Sequence, residues 1–372
     1  MKKTAATAKL IFASGEKDAD IYYATGMSTT DPFLYLQQGQ KKVMFASALE
    51  CSRAKKIAKC GVEALPAPKT DAERKMGAII MALLKKKVKS ASVPYDFPAG
   101  LSQKLAEYGI KATAVQWPQF FREREVKTER EIRMIAHSQE VAQQAIEEAI
   151  EVINASRPDK SGRLLFDNKP LTSEFLHQRI AGFLSIRGFE AGETIVCSGE
   201  DSSMPHARGA GQLWQDRQII IDVFPKCLET RYYGDVTRTV FKGEPSSKFV
   251  RMYDAVKEVQ QGCLDRLRDG AVGSELYGYA SDEFVRRGYP RKTTKAGLFG
   301  FTHSLGHGLG LDVHEEPRLS PVGGRLETGN VVTVEPGLYY PKIGGVRIED
   351  TVVVARDGHR NLTRLSKELL IL

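Results

Sequence analysis

Apolar positions along this chain follow two different periods, and the changes between them mark out its elements. Ile135, Ala142, Ile146, Ala149 and Ile153 recur at helical spacing and predict one long helix with a core-facing stripe. Thr128 is placed to cap that helix, and Glu131, three residues on, to close a capping box. Upstream, Lys9 to Ser14 reads as a first strand. Pro32-Phe33-Leu34-Tyr35-Leu36 and Lys42-Val43-Met44-Phe45-Ala46 flank Gln38-Gly39, which predicts a hairpin. Helices are expected over Ala72 to Leu84 and Leu101 to Tyr108. Residues 1–125 therefore read as a mixed α/β domain, with a junction near Trp117 to Val126 and a second domain over 126–372. A length of 372 residues suits two domains.

The second region repeats itself faintly. Thr172-Ser173-Glu174-Phe175 leads through a helix to Arg187-Gly188-Phe189, and Gly273-Ser274-Glu275-Leu276 leads to Arg287-Gly288-Tyr289. Each reads as a capped helix ended by glycine. Before the first of them, Ala155 to Lys169 is polar and irregular, a surface loop or short excursion.

Other stretches are apolar without alternation, as buried strands are, and each stands beside an ionisable residue. Asp222 ends Ile219-Ile220-Ile221. Asp235 precedes Val236-Thr237-Arg238-Thr239-Val240. Glu335 closes Val331-Val332-Thr333-Val334, and Glu349 lies between Val346-Arg347-Ile348 and Thr351-Val352-Val353-Val354. Tyr339 to Gly345 supplies a Pro- and Gly-containing turn between the last two acids. His307 sits in His303-Ser304-Leu305-Gly306-His307-Gly308-Leu309-Gly310. Any one acid could be a turn or cap residue, Asp235 could pair with Arg238, and Glu349 with Arg347. The ordered set of four acids and one imidazole says more. Four buried carboxylates need protons, ion pairs or metal, and two divalent cations would neutralise all four. Hard oxygens with a single imidazole suit Mn(II) first, then Co(II), Zn(II) or Fe(II), and no thiolate is present to favour a softer ion. The pattern is that of a dinuclear hydrolase.

On these residues the chain resembles the pita-bread metallopeptidases, the family of Xaa-Pro dipeptidase (prolidase), aminopeptidase P, methionine aminopeptidase and creatinase. Met204-Pro205-His206, Ile221-Asp222, Gly234 to Thr239, His303 to His314, Thr333 to Gly337 and Gly345 to Asp350 carry the likeness. It is strong over about 127–372 and looser over the first 125 residues, which are similar to the creatinase- and prolidase-like amino-terminal domain. The resemblance implies an α/β (α+β) fold with that domain ahead of a pita-bread catalytic domain, and a homodimer. It implies Asp222 as a terminal ligand of one metal, Asp235 and Glu349 as bridges, and His307 and Glu335 completing the other. Glu335 would also shuttle a proton to the leaving nitrogen. His206 and His314 would contact the scissile carbonyl and the intermediate, and His303 would line the proline side. Arg347, on the same strand parity as Glu349, would orient a carboxylate, and Arg318 would meet a substrate carboxylate.

The expected activity is thus hydrolysis of the bond before proline in a di- or oligopeptide. Xaa-Pro dipeptidase is favoured, with Xaa-Pro aminopeptidase the alternative and a non-catalytic peptide- or protein-binding module a remote third. One departure from the family pattern bears on preference. Asp222-Val223-Phe224-Pro225 replaces the common Asp-x-Gly, and the connection to Asp235 is about two residues longer.

Composition excludes some classes. With 42% hydrophobic and 27% charged residues the chain is globular, and no apolar stretch approaches the roughly 20 residues of a membrane span. The net charge of +8 is concentrated early, since the first 126 residues hold 21 Lys and Arg against 12 Asp and Glu. Its densest run, Lys85-Lys86-Lys87-Val88-Lys89, lacks interleaved aromatics and suits a helix C-terminus better than a nucleic-acid arm. Met1 to Ala6 starts like a signal peptide, but Lys9 interrupts any apolar core. Five cysteines without a metal-type pair favour reduced thiols and the cytoplasm.

Overall fold

The computed structural model describes residues 8–65, 74–115, 120–295 and 297–372. It divides into two compact units, residues 1–122 and 123–372. The extreme amino terminus, the start of the Ala72 to Leu84 segment and Trp117 in the junction lie outside the described residues.

The first unit is built on a six-stranded sheet. Ala8–Ala13 pairs antiparallel with Phe33–Gln38, which turns back through Gly39 into Lys41–Ala46, so the hairpin forms where the sequence placed it. Gly39 has φ of 59°, the left-handed conformation such a tight turn requires. Gly61–Ala64 extends one edge in parallel, and Ser90–Val93 and Lys111–Ala114 extend the other. The helices Arg74–Lys85 and Ala99–Glu107 cover one face through Ile79, Leu83, Leu101 and Leu105. The lysine run begins at the end of the Arg74–Lys85 helix, where Lys87 turns left-handed and Lys86 pairs with Glu63.

The second unit opens on the long helix Glu129–Ala155, closed at its start by the Thr128–Glu131 capping box. Its stripe packs against a three-stranded antiparallel sheet, Ile195–Ser198, Arg217–Val223 and Val236–Lys242. A five-stranded sheet forms the other half, in the order Glu315–Leu319, Gly306–Gly308, Val331–Val334, Asp350–Ala355 and Gly358–Asn361. The helices Ser247–Leu264 and Gly273–Arg286 pack with it in a second core. Gly337–Tyr340 and Gly344–Arg347 form the hairpin expected between Glu335 and Glu349.

Two local expectations change. Arg157–Pro158, Leu164–Phe166 and Lys169–Pro170 pair into a small sheet where a loop was read, because strands of two or three residues show no periodicity. The repeated helices are both 14 residues long and end in an Arg-Gly pair whose glycine is left-handed. Only the first has a side-chain cap, from Thr172; at the second the cap position is Val272. Among the described residues no helix is long and apolar enough to cross a membrane.

Candidate active site

All five residues of the sequence pattern come together, with His206, His303, His314, Arg318 and Arg347, around one cavity of about 640 Å³ in the second unit. Each acid reaches it from a strand end. Asp222 lies one residue from the end of Arg217–Val223, opposite Thr237. Asp235 immediately precedes Val236–Lys242, Glu335 follows Val331–Val334, and Glu349 links Gly344–Arg347 to Asp350–Ala355. His307 stands at the centre of Gly306–Gly308.

The donor atoms of three of them converge closely. One oxygen each from Asp235 and Glu349 and a ring nitrogen of His307 lie within 4.8 Å of one another. His307 Nε2 is 3.3 Å from Glu335 Oε1 and 3.7 Å from Asp235 Oδ2. Its Nδ1 is 3.1 Å from the Gly308 carbonyl, which can only accept, so Nδ1 carries a proton and Nε2 is the nitrogen that faces the acids. Asp222 Oδ1 is buried with no hydrogen-bond partner among the described residues.

Charge makes the same point. Burial raises the Asp235 carboxyl well above its ordinary range, and Glu349 and Asp222 add repulsion. Glu349 is likewise pushed well up by burial, then by Glu335 and Asp222. Asp222 rises through burial, partly opposed by Arg347. Burial works against Glu335 too, but the hydrogen bond and charge of His307, with His303 and Arg347, hold it at about 2. An acid cluster that cannot ionise fully by itself, an orphaned carboxylate oxygen and an imidazole nitrogen turned toward the cluster fit a divalent-cation site.

The surrounding side chains fix this geometry. Arg347 donates from Nη2 to Asp222 Oδ2 at 2.5 Å, from Nη1 to Tyr339 Oη at 2.8 Å and from Nε to Thr237 Oγ1 at 3.2 Å. Thr237 donates on to Glu349 Oε2 at 2.8 Å. Tyr339 donates to His303 Nε2 at 2.9 Å, and His303 Nδ1 donates to the Ser304 carbonyl at 2.7 Å. Both nitrogens of His303 are thus engaged within the chain, and burial lowers its basicity. Gln139 of the long helix clamps the Asp235 backbone. Its Oε1 accepts from Asp235 N at 2.8 Å, and its Nε2 donates to Asp235 O at 2.9 Å.

His206 and His314 are exposed to the cavity. The His314 ring stands edge-on to His307, with centroids 4.3 Å apart, and burial followed by His307 lowers its pKa to about 4. Arg318 lines the cavity with Nε 3.1 Å from Glu316 Oε1. The Asp235–Arg238 and Glu349–Arg347 pairings do not form. Arg238 turns to Asp350 and Arg347 to Asp222. Sequence reading missed Gln139 and the Tyr339 hydroxyl; the only signal for Gln139 was a polar residue in an otherwise core-facing stretch of helix.

Comparison with known proteins agrees with this geometry. Residues 133–356 match the model of metallopeptidase family M24. A protein named Xaa-Pro dipeptidase from Pyrococcus horikoshii is 30% identical over 359 residues, which is 95% of this chain and 93% of that protein. The crystal structure of the prolidase from P. horikoshii OT3 superposes with a TM-score of 0.79 at 28% identity, covering 98% of this chain and 95% of that one. An X-Pro aminopeptidase from Thermotoga maritima shares the fold, with a TM-score of 0.79 at 24% identity over 98% of this chain and 97% of its own. The fold is the mixed α/β one of these enzymes, an amino-terminal domain followed by a pita-bread catalytic domain. On its match and on its near full-length relative, this chain is a peptidase that belongs to metallopeptidase family M24.

Proposed function

We propose that this peptidase cleaves the bond before proline, acting as an Xaa-Pro dipeptidase. The observation that carries the reading is the single cavity in which four acids and His307 meet, in a chain 30% identical over nearly its whole length to a protein named for that activity. Asp222, Asp235, His307, Glu335 and Glu349 would hold two divalent cations, with manganese suited to so oxygen-rich a donor set. When bound, the ions polarise the scissile carbonyl and ease deprotonation of water. Glu335 carries the proton onward to the leaving nitrogen. Its Oε1 faces His307 and Thr333, and no hydrogen bond occupies its Oε2 among the described residues. That transfer matters because an amide nitrogen leaves poorly unless protonated.

His314, held neutral, and His206 present ring nitrogens to the carbonyl and the oxyanion formed from it. Arg318, at the cavity wall, receives the substrate carboxylate, and His303 contributes its ring rather than its nitrogens to the proline side. Residues 1–125 would be the creatinase- and prolidase-like domain and 126–372 the catalytic one, a partition supported by the compact units. A cytoplasmic homodimer completes the proposal. Five free cysteines support the location and family resemblance the assembly.

Hydrolysis of Ala-Pro and Ala-Pro-Ala with Mn(II), each with and without chelator, tests the reading. Chelator-sensitive cleavage of the dipeptide alone is expected. Efficient cleavage of the tripeptide would move the enzyme to the aminopeptidase side, and turnover of neither would overturn proline specificity.

Phe224 supplies a second test. It lines the cavity two residues after Asp222, where the family pattern has glycine, and its ring is backed by Gly192. Phe224→Ala is expected to raise kcat/KM for Phe-Pro relative to Ala-Pro by about tenfold, since one apolar wall in a pocket discriminates at that level. An unchanged ratio would remove Phe224 from the pocket for the residue before proline.

A further inference from the structure

Glu315 directly follows His314, yet its carboxylate turns away from the acid cluster into a buried cation pair. Oε1 accepts from Lys127 Nζ at 2.5 Å and Oε2 from Arg124 Nη2 at 2.5 Å, and all three side chains are 3% exposed or less. Arg124 Nη2 also donates to Asp312 Oδ2 at 2.7 Å. The cations are themselves anchored. Lys127 N donates to the Gly329 carbonyl, Asn330 Nδ2 donates to the Glu125 carbonyl, and Val126 bridges Asn330 just ahead of the Val331–Val334 strand that Glu335 follows.

Between Gly308 and Glu315, which pair across the base of a bulged hairpin, residues 309–314 form a loop. Glu315 braces it from inside, because a Cβ at Gly310 would collide with Oε1. Gly310 O in turn accepts from Tyr233 N, two residues before Asp235. At the far end of this loop the His314 ring makes no hydrogen bond among the described residues. Its place over His307 is therefore set by the backbone that Glu315 holds.

We infer that Lys127 and Arg124, acting through Glu315, are positioning residues that fix the 309–314 loop and so set the His314 ring at the cavity. The inference rests on the catalytic reading of His314. A reacting group displaced by about 1 Å can cost on the order of 100-fold in rate, so the cost should fall on turnover rather than on substrate binding.

The test uses full-length enzyme loaded with Mn(II), Ala-Pro as substrate, and the variants Lys127→Met, His314→Ala and their double. Lys127→Met is expected to lower kcat about 30-fold with KM within about threefold and metal content unchanged. The double variant should be no worse than His314→Ala alone, because a residue acting only through His314 has nothing left to position. In the metal-free chain, amide exchange over 309–314 should quicken at least about tenfold in Lys127→Met, with the rest of the second unit unchanged. If Lys127→Met does not fold, Lys127→Gln, whose amide still donates to Glu315, gives the same pattern at smaller amplitude. Unchanged kcat and exchange, or a double variant worse by the product of the single effects, would overturn the positioning role. His314→Ala with full turnover would instead overturn the catalytic assignment of His314, which separates the two failures.

Discussion

Asp235→Asn is expected to strip at least one divalent cation from each chain and lower kcat by at least about 10³-fold, while making the metal-free protein more stable. The two effects have opposite signs for one reason. In the folded chain the Asp235 carboxyl is raised well above its usual range by burial and then by Glu349, Asp222 and Glu335. Without a cation, folding at neutral pH must either protonate this group or concentrate like charges, and both cost free energy relative to the solvated unfolded chain. Asparagine removes that cost at nearly constant volume. It also keeps the clamp from Gln139, which engages only the backbone N–H and carbonyl of residue 235. The metal-free melting temperature should therefore rise, by roughly 2 °C or more. The further rise on adding Mn(II) should shrink, since a ligand stabilises only in proportion to its affinity for the folded state. Elemental analysis and paired melting curves read both effects. Full metal content with full activity would sink the assignment of Asp235, and a lowered metal-free melting temperature would show that its carboxylate is satisfied by the chain itself.

The candidate ligands stood out in the sequence because a buried strand leaves no ordinary place for an acid. Ile219-Ile220-Ile221 before Asp222 and Val331 to Val334 before Glu335 read as strands because both faces are covered, and the structure buries every residue of both runs. What surrounds the ligands was much less legible. Gln139 reaches Asp235 across 96 positions of chain, and Arg124 reaches Glu315 across 191. No local period encodes such contacts; only the packing of the long helix and its leading segment against the second unit's sheets creates them. Local charge pairing misled for the opposite reason. Arg238 is three residues from Asp235, but the register that pairs Asp222 with Thr237 and Ile221 with Arg238 alternates these side chains between faces. Thr237 faces Glu349, while Arg238 turns to Asp350 and to the carbonyls of Leu365 and Ser366. Tyr339 could be read from the sequence only as a residue flanking a turn. Its hydroxyl acquires a role because the Gly337–Tyr340 and Gly344–Arg347 hairpin places it between Arg347 and His303.

Arg347→Lys should fail to preserve activity although it keeps the positive charge. The guanidinium divides its donors among groups from four separate segments: Asp222 Oδ2, Tyr339 Oη, Thr237 Oγ1 and the Pro205 carbonyl at 3.2 Å. A lysine ammonium is one compact donor at the end of a flexible stem and cannot span those directions at once. If it reaches Asp222, the Tyr339 hydroxyl loses its donor, and with it the bonded chain that fixes His303. If it reaches Tyr339, Asp222 keeps a buried carboxylate without its partner, and the loop carrying His206 loses its tie at Pro205. Removing one side of a buried, hydrogen-bonded ion pair costs about 3 kcal/mol or more, which corresponds to a melting temperature lower by roughly 6 °C in a unit of this size. Catalysis should suffer more, with kcat/KM down about 10²- to 10³-fold while metal is retained, because Arg347 touches the proposed ligand Asp222 without belonging to the proposed donor set itself. Arg347→Met supplies the calibration. If the fork geometry is what matters, Lys and Met fall to within about tenfold of each other. A lysine variant with parental turnover and melting temperature would show that the site needs only a charge there.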